Sequence, residues 1–164
     1  MEISSFAAAV FLPFVLPLCA HVVWTDLSAM RISNRTVLLI AAVFAVVGPF
    51  VLPLETYGWR LLTLVLVLLA GMVANAVGLF GAGDAKFIAA AAPFIAPGDI
   101  RIALTILTVT LATGFLTHRI AKRTALRRLA PDWESWDRTR DFPMGLALGP
   151  ALVIYLGLGA LYGV

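Results

Sequence analysis

Charge is scarce in this chain: Asp, Glu, Lys and Arg make up only 13% of its 164 residues, against about 25% in an average soluble domain. Hydrophobic residues reach 62% and the mean hydropathy is +1.00, which excludes an ordinary soluble globular domain. A helix that crosses a bilayer needs roughly 20 apolar residues, so five to seven spans would use nearly the whole chain. We therefore expect an all-α, multi-pass membrane protein with a single transmembrane domain over residues 1–164.

Cysteine is almost absent. The single cysteine, Cys19, lies inside the first apolar run, which excludes a disulfide framework or a CxxC zinc or redox site within the chain. We interpret it as a packed thiol, and no metal site is predicted. A basic segment before the first apolar run is also lacking, so this run is interpreted as a retained helix rather than a secretory signal peptide.

Six apolar segments predict six transmembrane helices. The fourth is short, because about 14 residues at 1.5 Å per residue reach only about 21 Å, and it contains Pro93. A re-entrant hairpin is the alternative for this segment. The predicted spans are residues 6–25, 36–54, 60–79, 85–98, 101–118 and 143–163.

The cations predict the orientation of these spans. With six crossings, the loops after the first, third and fifth spans share one side, and the positive-inside rule places that side in the cytoplasm and both termini outside. If the fourth segment did not cross, the basic run 119–128 would face outward, so a crossing is favoured. Ten of the twelve cations lie on the predicted cytoplasmic side: Arg31, Arg35, Lys86, Arg119, Lys122, Arg123, Arg127, Arg128, Arg138 and Arg140.

We interpret the net charge of +3 as a result of the excess of cations in cytoplasmic loops, and not as a sign of nucleic-acid binding. The longest loop, residues 118–143, begins with cations at helical spacing, which match anionic lipid headgroups. Trp133 and Trp136 are predicted to anchor this loop at the membrane interface. A lipid bilayer with anionic headgroups is therefore an expected partner, and nucleic acid is not.

Two aspartates are predicted at one depth of the membrane. Asp26 lies where the first span reaches the cytoplasmic boundary, and Asp84 lies where the fourth span begins at that boundary. An acidic group at membrane depth is costly and suggests a function. Two carboxyls that approach each other tend to share one proton, and such a pair can hydrolyse a peptide bond. One carboxyl takes a proton from water while the other donates a proton towards the scissile carbonyl.

Each aspartate also has an ordinary alternative. Asp84 could be the N-cap of the fourth helix, and Asp26 could be a boundary charge. Gly78, Gly81 and Gly83, which precede Asp84, could form a simple turn, or they could let an extended peptide approach the carboxylates closely. A small proton- or ion-coupled transport protein is a further alternative, but transport predicts ionisable groups along a path, and the middle of the spans is nearly free of charge.

Two sequence blocks resemble those of the prepilin peptidases, which are intramembrane aspartic proteases with a GxGD motif. The segment GAGDAKF, residues 81–87, resembles the GxGDxK block of that family, and DLSAMRISN, residues 26–34, resembles its first block. The last segment, residues 142–155, is similar to the Pro- and Gly-rich last helix. The chain departs from the family at Ser33, where a proline is usual, and we expect a changed turn there with little effect on the mechanism.

The resemblance implies that Asp26 and Asp84 cut the short basic leader from type IV, Flp-like prepilins at the cytoplasmic face of the bacterial inner membrane. It implies no cofactor. The chain resembles the short CpaA/TadV-like form without the cysteine-containing extension of bifunctional members, so methyltransferase activity is not expected. Archaeal preflagellin peptidases share the motif, and a non-catalytic pilus assembly subunit is another alternative. The oligomeric state is not predicted.

Five further residues are candidates for binding substrate or supporting the site. Lys86 lies roughly 200° around a helix from Asp84, so it is not expected to bond that carboxylate. It could contact a substrate carboxylate or a lipid phosphate. Arg31 and Asn34 could order the first cytoplasmic loop or contact the leader, and topology or turn roles are equally open. Gly81 and Gly83 complete this set.

Overall fold

The computed structural model describes residues 1–79, 81–138 and 141–164, and within these ranges it contains six α-helices, several short 3₁₀ turns and no β-strand. This confirms the predicted all-α fold. Five of the helices are long and apolar enough to cross a membrane, and α4 is the exception. The helices are α1 Ser5–Ala29, α2 Asn34–Val51, α3 Leu54–Ala76, α4 Ala82–Ala91, α5 Ile100–Arg123 and α6 Gly145–Tyr162.

Helices α1 and α6 pack closely at glycines. A Cβ atom on Gly149 would lie 3.0 Å from the Cys19 carbonyl oxygen, and one on Gly159 would lie 3.1 Å from the Ala8 Cβ. Small residues allow two membrane helices to approach this closely. The backbones of α1 and α6 are therefore in close contact at these glycines.

The fourth segment runs the length of the bundle and is not a re-entrant hairpin. Asp84, near its start, lines a cavity together with Asp26 from the last turn of α1. At its other end, Asp99 accepts hydrogen bonds from the backbone N–H groups of Glu2 and Ile3, at 2.8 and 3.0 Å, just before α1 begins. The segment therefore connects the two ends of α1, as a crossing requires.

The α-helix of this segment is shorter than the predicted span 85–98. It ends at Ala91 because Pro93 has no backbone N–H and cannot continue the hydrogen-bond ladder. The chain goes on in two 3₁₀ turns, Ala92–Phe94 and Pro97–Asp99. Since a 3₁₀ turn rises about 2.0 Å per residue rather than 1.5 Å, a short segment reaches further than α-helical geometry would allow.

Aromatic rings fill the middle of the bundle. Phe94 meets Phe11 and Phe44 edge to face, with ring centroids 5.0 and 5.2 Å apart, and Phe11 stacks on Phe44 at 5.6 Å. All three side chains are buried. Such ring pairs stabilise a core beyond simple burial of apolar area, so α1, α2 and the fourth segment are held together by an apolar layer.

A buried polar cluster lies at the end where α1 begins. Asp99 is only 2% exposed and also accepts a hydrogen bond from the Tyr155 hydroxyl at 2.9 Å. The same hydroxyl accepts a hydrogen bond from the Ala96 N–H at 3.0 Å.

Helix α3 begins earlier than predicted. The predicted third span began at Arg60, but α3 begins at Leu54, so Arg60 is buried inside the helix. Its guanidinium donates to the Pro93 and Phe94 carbonyls at 3.4 and 3.3 Å, where the proline interrupts the α-helical ladder.

Both chain termini lie at this same end of the bundle. The Met1 ammonium donates to the Tyr162 carbonyl at 3.2 Å, and the Ser5 N–H donates to the Val164 carbonyl at 3.1 Å. The carboxylate pair and the termini are therefore at opposite ends of the bundle.

The segment after α5 folds back onto α1 and α5. Trp133 contacts Trp24 of α1 edge to face at 5.6 Å and stacks on Trp136, which in turn stacks on His118 of α5 at 4.9 Å. Of the cations predicted here, Arg127 pairs with Asp137 at 2.8 Å. Arg140, which also belongs to the predicted basic set, lies outside the described residues.

We expect Tyr155→Phe to lower the free energy of unfolding by about 1–3 kcal/mol, because the buried Ala96 N–H loses its acceptor and Asp99 loses a donor. Thermal unfolding in detergent measures this loss. Tyr57→Phe is the control, since its hydroxyl bonds the Ala45 carbonyl at an exposed position, and it should cost less than about 1 kcal/mol. Equal losses in the two variants would contradict a special role for the buried cluster.

Candidate active site

A cavity of about 1080 Å³ opens at the end of the bundle where α1 ends and α4 begins. Both predicted catalytic residues line it. Four of the five predicted supporting residues line it as well, and Lys86 does not. These six lining residues are Asp26, Arg31, Asn34, Gly81, Gly83 and Asp84.

Asp26 occupies the last turn of α1 and is only 6% exposed. Its Oδ2 atom accepts a hydrogen bond from the backbone N–H of Gly145 at 2.6 Å. Such a short bond is typical of a charge-assisted contact to a carboxylate. The first residue of α6 therefore fixes the orientation of a buried carboxyl on α1.

Asp84 is the third residue of α4 and is partly exposed. The helix N-cap is Gly81 rather than Asp84, and the Gly81 backbone N–H donates to the Asp84 carboxylate. This is the return half of a capping box, and a negative charge in the first turn also suits the helix dipole. The Asp84 side chain can therefore bond the start of α4 and line the cavity at the same time.

The two carboxyls are near enough for the charge of Asp26 to act on Asp84. Because two like charges at short range resist joint ionisation, such a pair tends to hold one proton between its members. Within the described ranges no three His, Cys, Asp or Glu side chains are placed to hold a metal ion. The chemistry available from these two side chains is proton transfer.

Each aspartate has a glycine pressed against it. A Cβ atom on Gly145 would lie 2.9 Å from the Asp26 Cβ and 3.0 Å from its Oδ2, and one on Gly81 would lie 2.8 Å from the Asp84 Oδ2. Real Cβ atoms do not tolerate such distances, so both positions need glycine for the observed carboxyl orientations. Gly83 is close to Ile32 instead, at 3.3 Å. Gly81 and Gly83 were predicted as supporting residues, whereas Gly145 was not.

Lys86 does not line the cavity, and its side chain contacts the start of α2. Its Nζ atom donates to the Asn34 Oδ1 at 3.1 Å, which links α4 to the first residue of α2. This agrees with the expectation that Lys86 does not bond Asp84. Arg31 lines the cavity from the loop that precedes Asn34. The loop and the start of α4 are therefore joined beside the two carboxyls.

The backbone conformation at Ser33 is one that a proline could also adopt. It is the N-cap of α2 with φ −66° and ψ 128°, and this φ lies within the range that a proline ring imposes. The Ser33 side chain makes no capping hydrogen bond. The changed turn expected from the sequence is therefore not required by the backbone at this position.

Sequence reasoning missed the cavity wall that precedes α6. This wall consists of Arg138, Asp141, Phe142 and Met144, which all line the cavity. Within this wall the Arg138 Nη1 atom lies 3.8 Å from the Asp141 Oδ2. The signal in the sequence was the Pro- and Gly-rich start of the last helix. This composition indicates close packing, but it does not indicate which residues pack there.

The sequence model of the type IV leader peptidase family matches residues 13–118. This range is more than half of the chain and contains both Asp26 and Asp84. The chain belongs to the type IV leader peptidase family. No curated protein and no solved structure matches the chain. In this peptidase the matched range ends within α5, so α6 and the wall before it lie outside the range.

We expect Gly145→Ala to reduce leader-peptidase activity by about 100-fold per folded molecule, because the added methyl group displaces the Asp26 carboxyl, and misplacement by about 1 Å can cost this much. Cleavage is assayed in detergent and normalised to the folded fraction. Gly157→Ala, on the same helix with no atom within 4 Å of the added Cβ, should leave the activity unchanged.

Gly149→Ala separates steric damage from an effect on the carboxyl. Its added Cβ would lie 3.0 Å from the Cys19 carbonyl oxygen, also at the α1–α6 contact. We expect it to lower thermal stability while the folded fraction keeps its activity. A loss of activity per folded molecule equal to that of Gly145→Ala would count against a specific contact between Gly145 and Asp26.

Proposed function

We propose that this leader peptidase is an aspartic endopeptidase in which Asp26 and Asp84 form the catalytic pair. The observation that carries the proposal is that carboxyls from two separate helices line one cavity and interact electrostatically. Both lie within the range matched by the family. A buried carboxyl at the end of a membrane helix is costly, and a paired one is a recurrent device for acid–base chemistry.

In this mechanism the pair begins with one proton. The ionised carboxyl takes a proton from a water molecule as the water oxygen attacks the scissile carbonyl carbon, and the protonated carboxyl donates to the carbonyl oxygen. The tetrahedral intermediate then collapses: the C–N bond breaks, the leaving nitrogen receives a proton from the protonated carboxyl, and a hydroxyl of the intermediate gives its proton to the ionised carboxyl. The pair then holds one proton again. Because the two sites titrate together, acid and base roles belong to the pair rather than to one residue.

The backbone donors at the site support this chemistry. The Gly145 N–H holds one oxygen of Asp26, and the Gly81 N–H bonds the Asp84 carboxylate. Each carboxyl is thereby oriented by a rigid backbone group while accepting capacity remains for water or substrate. Gly81 and Gly83 line the cavity beside Asp84 without adding side chains, so their backbone could approach an extended peptide closely. Arg31 would contact that peptide, while Asn34 and Lys86 support the loop.

We further propose that the substrate is the short basic leader of a type IV, Flp-like prepilin, cut at the cytoplasmic face of the bacterial inner membrane. The charge distribution supports this orientation, because cations are concentrated in the loops at the end that holds the carboxyl pair. The exposed basic residues after α5 would meet anionic lipid headgroups at the same face. Both termini would then face the outside.

A proton or ion path receives less support. The carboxyl pair lies at one end of the bundle and the Asp99 cluster at the other, with the rings of Phe11, Phe44 and Phe94 between them. Transport would require ionisable or polar groups along the way. A non-catalytic assembly subunit shares the fold, and the cleavage assay distinguishes it from a peptidase.

We expect Asp26→Asn and Asp84→Asn each to reduce cleavage of a candidate prepilin by about 10²–10⁴-fold, because each variant removes one proton-transfer group. Purified protein in detergent is incubated with the prepilin, and the shortened product is separated and identified by mass. Asp137→Asn is the matched control, since this aspartate pairs with Arg127 and does not line the cavity.

The proposal fails if either aspartate variant, shown to be folded by thermal unfolding, cuts at the wild-type rate. If wild-type protein itself cuts no prepilin while remaining folded, the assembly-subunit alternative is favoured instead.

A further inference from the structure

A third carboxyl faces the candidate active site. Asp141, from the segment before α6, lines the same cavity as Asp26 and Asp84. It has no place in the proposed proton transfers. Its partner Arg138 also lines the cavity, and the two side chains are 64% and 56% exposed. Neither residue belongs to the range matched by the family.

The chain on either side of Asp141 contacts α5, through the backbone of Arg138 and the side chain of Phe142. The Arg138 carbonyl accepts a hydrogen bond from the Lys122 Nζ atom at 2.9 Å. Phe142, which follows Asp141, contacts the rings of Phe115 and His118 with centroids 5.8 and 6.1 Å apart. The pair is therefore part of a supported cavity wall.

The pair itself is loose. Its nitrogen and oxygen are 3.8 Å apart, beyond hydrogen-bond distance, and both side chains remain accessible to solvent. Exposed ion pairs of this kind contribute little to stability. Another cation could therefore replace Arg138 beside Asp141 at little cost, and a closer contact would be stronger than the one it replaces.

We propose that Asp141 binds a cationic side chain of the substrate and that Arg138 holds this place until the substrate arrives. This inference rests on the proposed function, in which a peptide lies across the cavity, and it adds a specificity-determining residue to that site. The ligand is a lysine or arginine side chain, identified by its positive charge.

The charge of Asp141 selects a cationic ligand. Among the described residues that line the cavity, Asp141 is the one carboxyl outside the proposed catalytic pair, and Arg31 and Arg138 carry the opposite charge. A basic substrate side chain would therefore be attracted at Asp141 and repelled by the two arginines, which defines its position. An acidic side chain would be attracted to either arginine and repelled by Asp141.

The chain geometry limits where the cationic residue lies in the substrate. Asp141 precedes Gly145 by four residues, and Gly145 contacts Asp26 directly. Four residues span at most about 14 Å, and an extended substrate covers that distance with about four residues. The cationic residue should therefore lie within about four positions of the scissile bond, and a basic leader would supply it.

Binding is measured so that the result does not depend on cleavage. The full chain carrying both Asp26→Asn and Asp84→Asn is titrated in detergent against a fluorescent prepilin leader peptide, and against the same peptide with its lysines and arginines replaced by glutamine. Adding Asp141→Asn should raise the Kd of the basic peptide about tenfold, as expected for one lost charge-assisted contact. The Kd of the neutral peptide should stay unchanged.

Two further variants make the test directional. Arg138→Gln should lower the Kd of the basic peptide, because the competing cation is gone, and Asp137→Asn should leave both peptides unchanged. The inference is overturned if Asp141→Asn shifts both peptides equally, if it shifts neither, or if neither peptide binds. Weaker binding of the basic peptide in the Arg138→Gln variant would also overturn it. Failure of the proposed function is a separate outcome, in which unmodified protein binds the basic peptide and does not cut prepilin.

Discussion

The hydrogen bond between the Gly145 N–H and the Asp26 carboxylate is the contact on which the site depends. It exists because α1 and α6 approach closely: a Cβ atom on Gly145 would collide with Asp26, and one on Gly149 would press on the Cys19 carbonyl oxygen. Burial of a carboxyl at a helix end is costly unless its oxygens are bonded, and here a backbone group from another helix supplies the bond. Close helix packing and the orientation of Asp26 are therefore one structural requirement.

The opposite end of the bundle uses the same principle for stability rather than chemistry. Asp99 satisfies the backbone N–H groups that precede α1, and Tyr155 brings α6 to the same carboxyl. Helix α6 is thus bonded to Asp26 through its first residue and to Asp99 through Tyr155, about two turns before its last residue. An apolar aromatic layer between these contacts keeps the two polar clusters separate, so one can orient a reactive group while the other holds the helices in register.

The sequence predicted the helical fold, the carboxyl pair and the shared end of the bundle because hydropathy and crossing number determine which loops lie together. It could not predict the true start of α3, since Arg60 looks like a boundary charge until the carbonyls near Pro93 are seen to bind it. Gly145 was missed for a similar reason. Its role lies in a backbone N–H, which every residue except proline has, and only the packed structure reveals which carboxyl it reaches.

The cavity divides into two parts that differ in origin and in chemistry. Asp26, Asp84 and their neighbouring loop lie in the range shared with the leader peptidase family, whereas Arg138, Asp141 and Gly145 lie beyond it. In the proposed mechanism, peptide hydrolysis makes the same demands on the carboxyl pair whatever the substrate, but the residues beside the scissile bond differ between substrates. Side chains in the wall before α6 can change without altering the proposed proton-transfer groups, provided that Gly145 still reaches Asp26. Under this proposal, selection among leaders can reside in that wall while the proposed catalytic pair stays fixed.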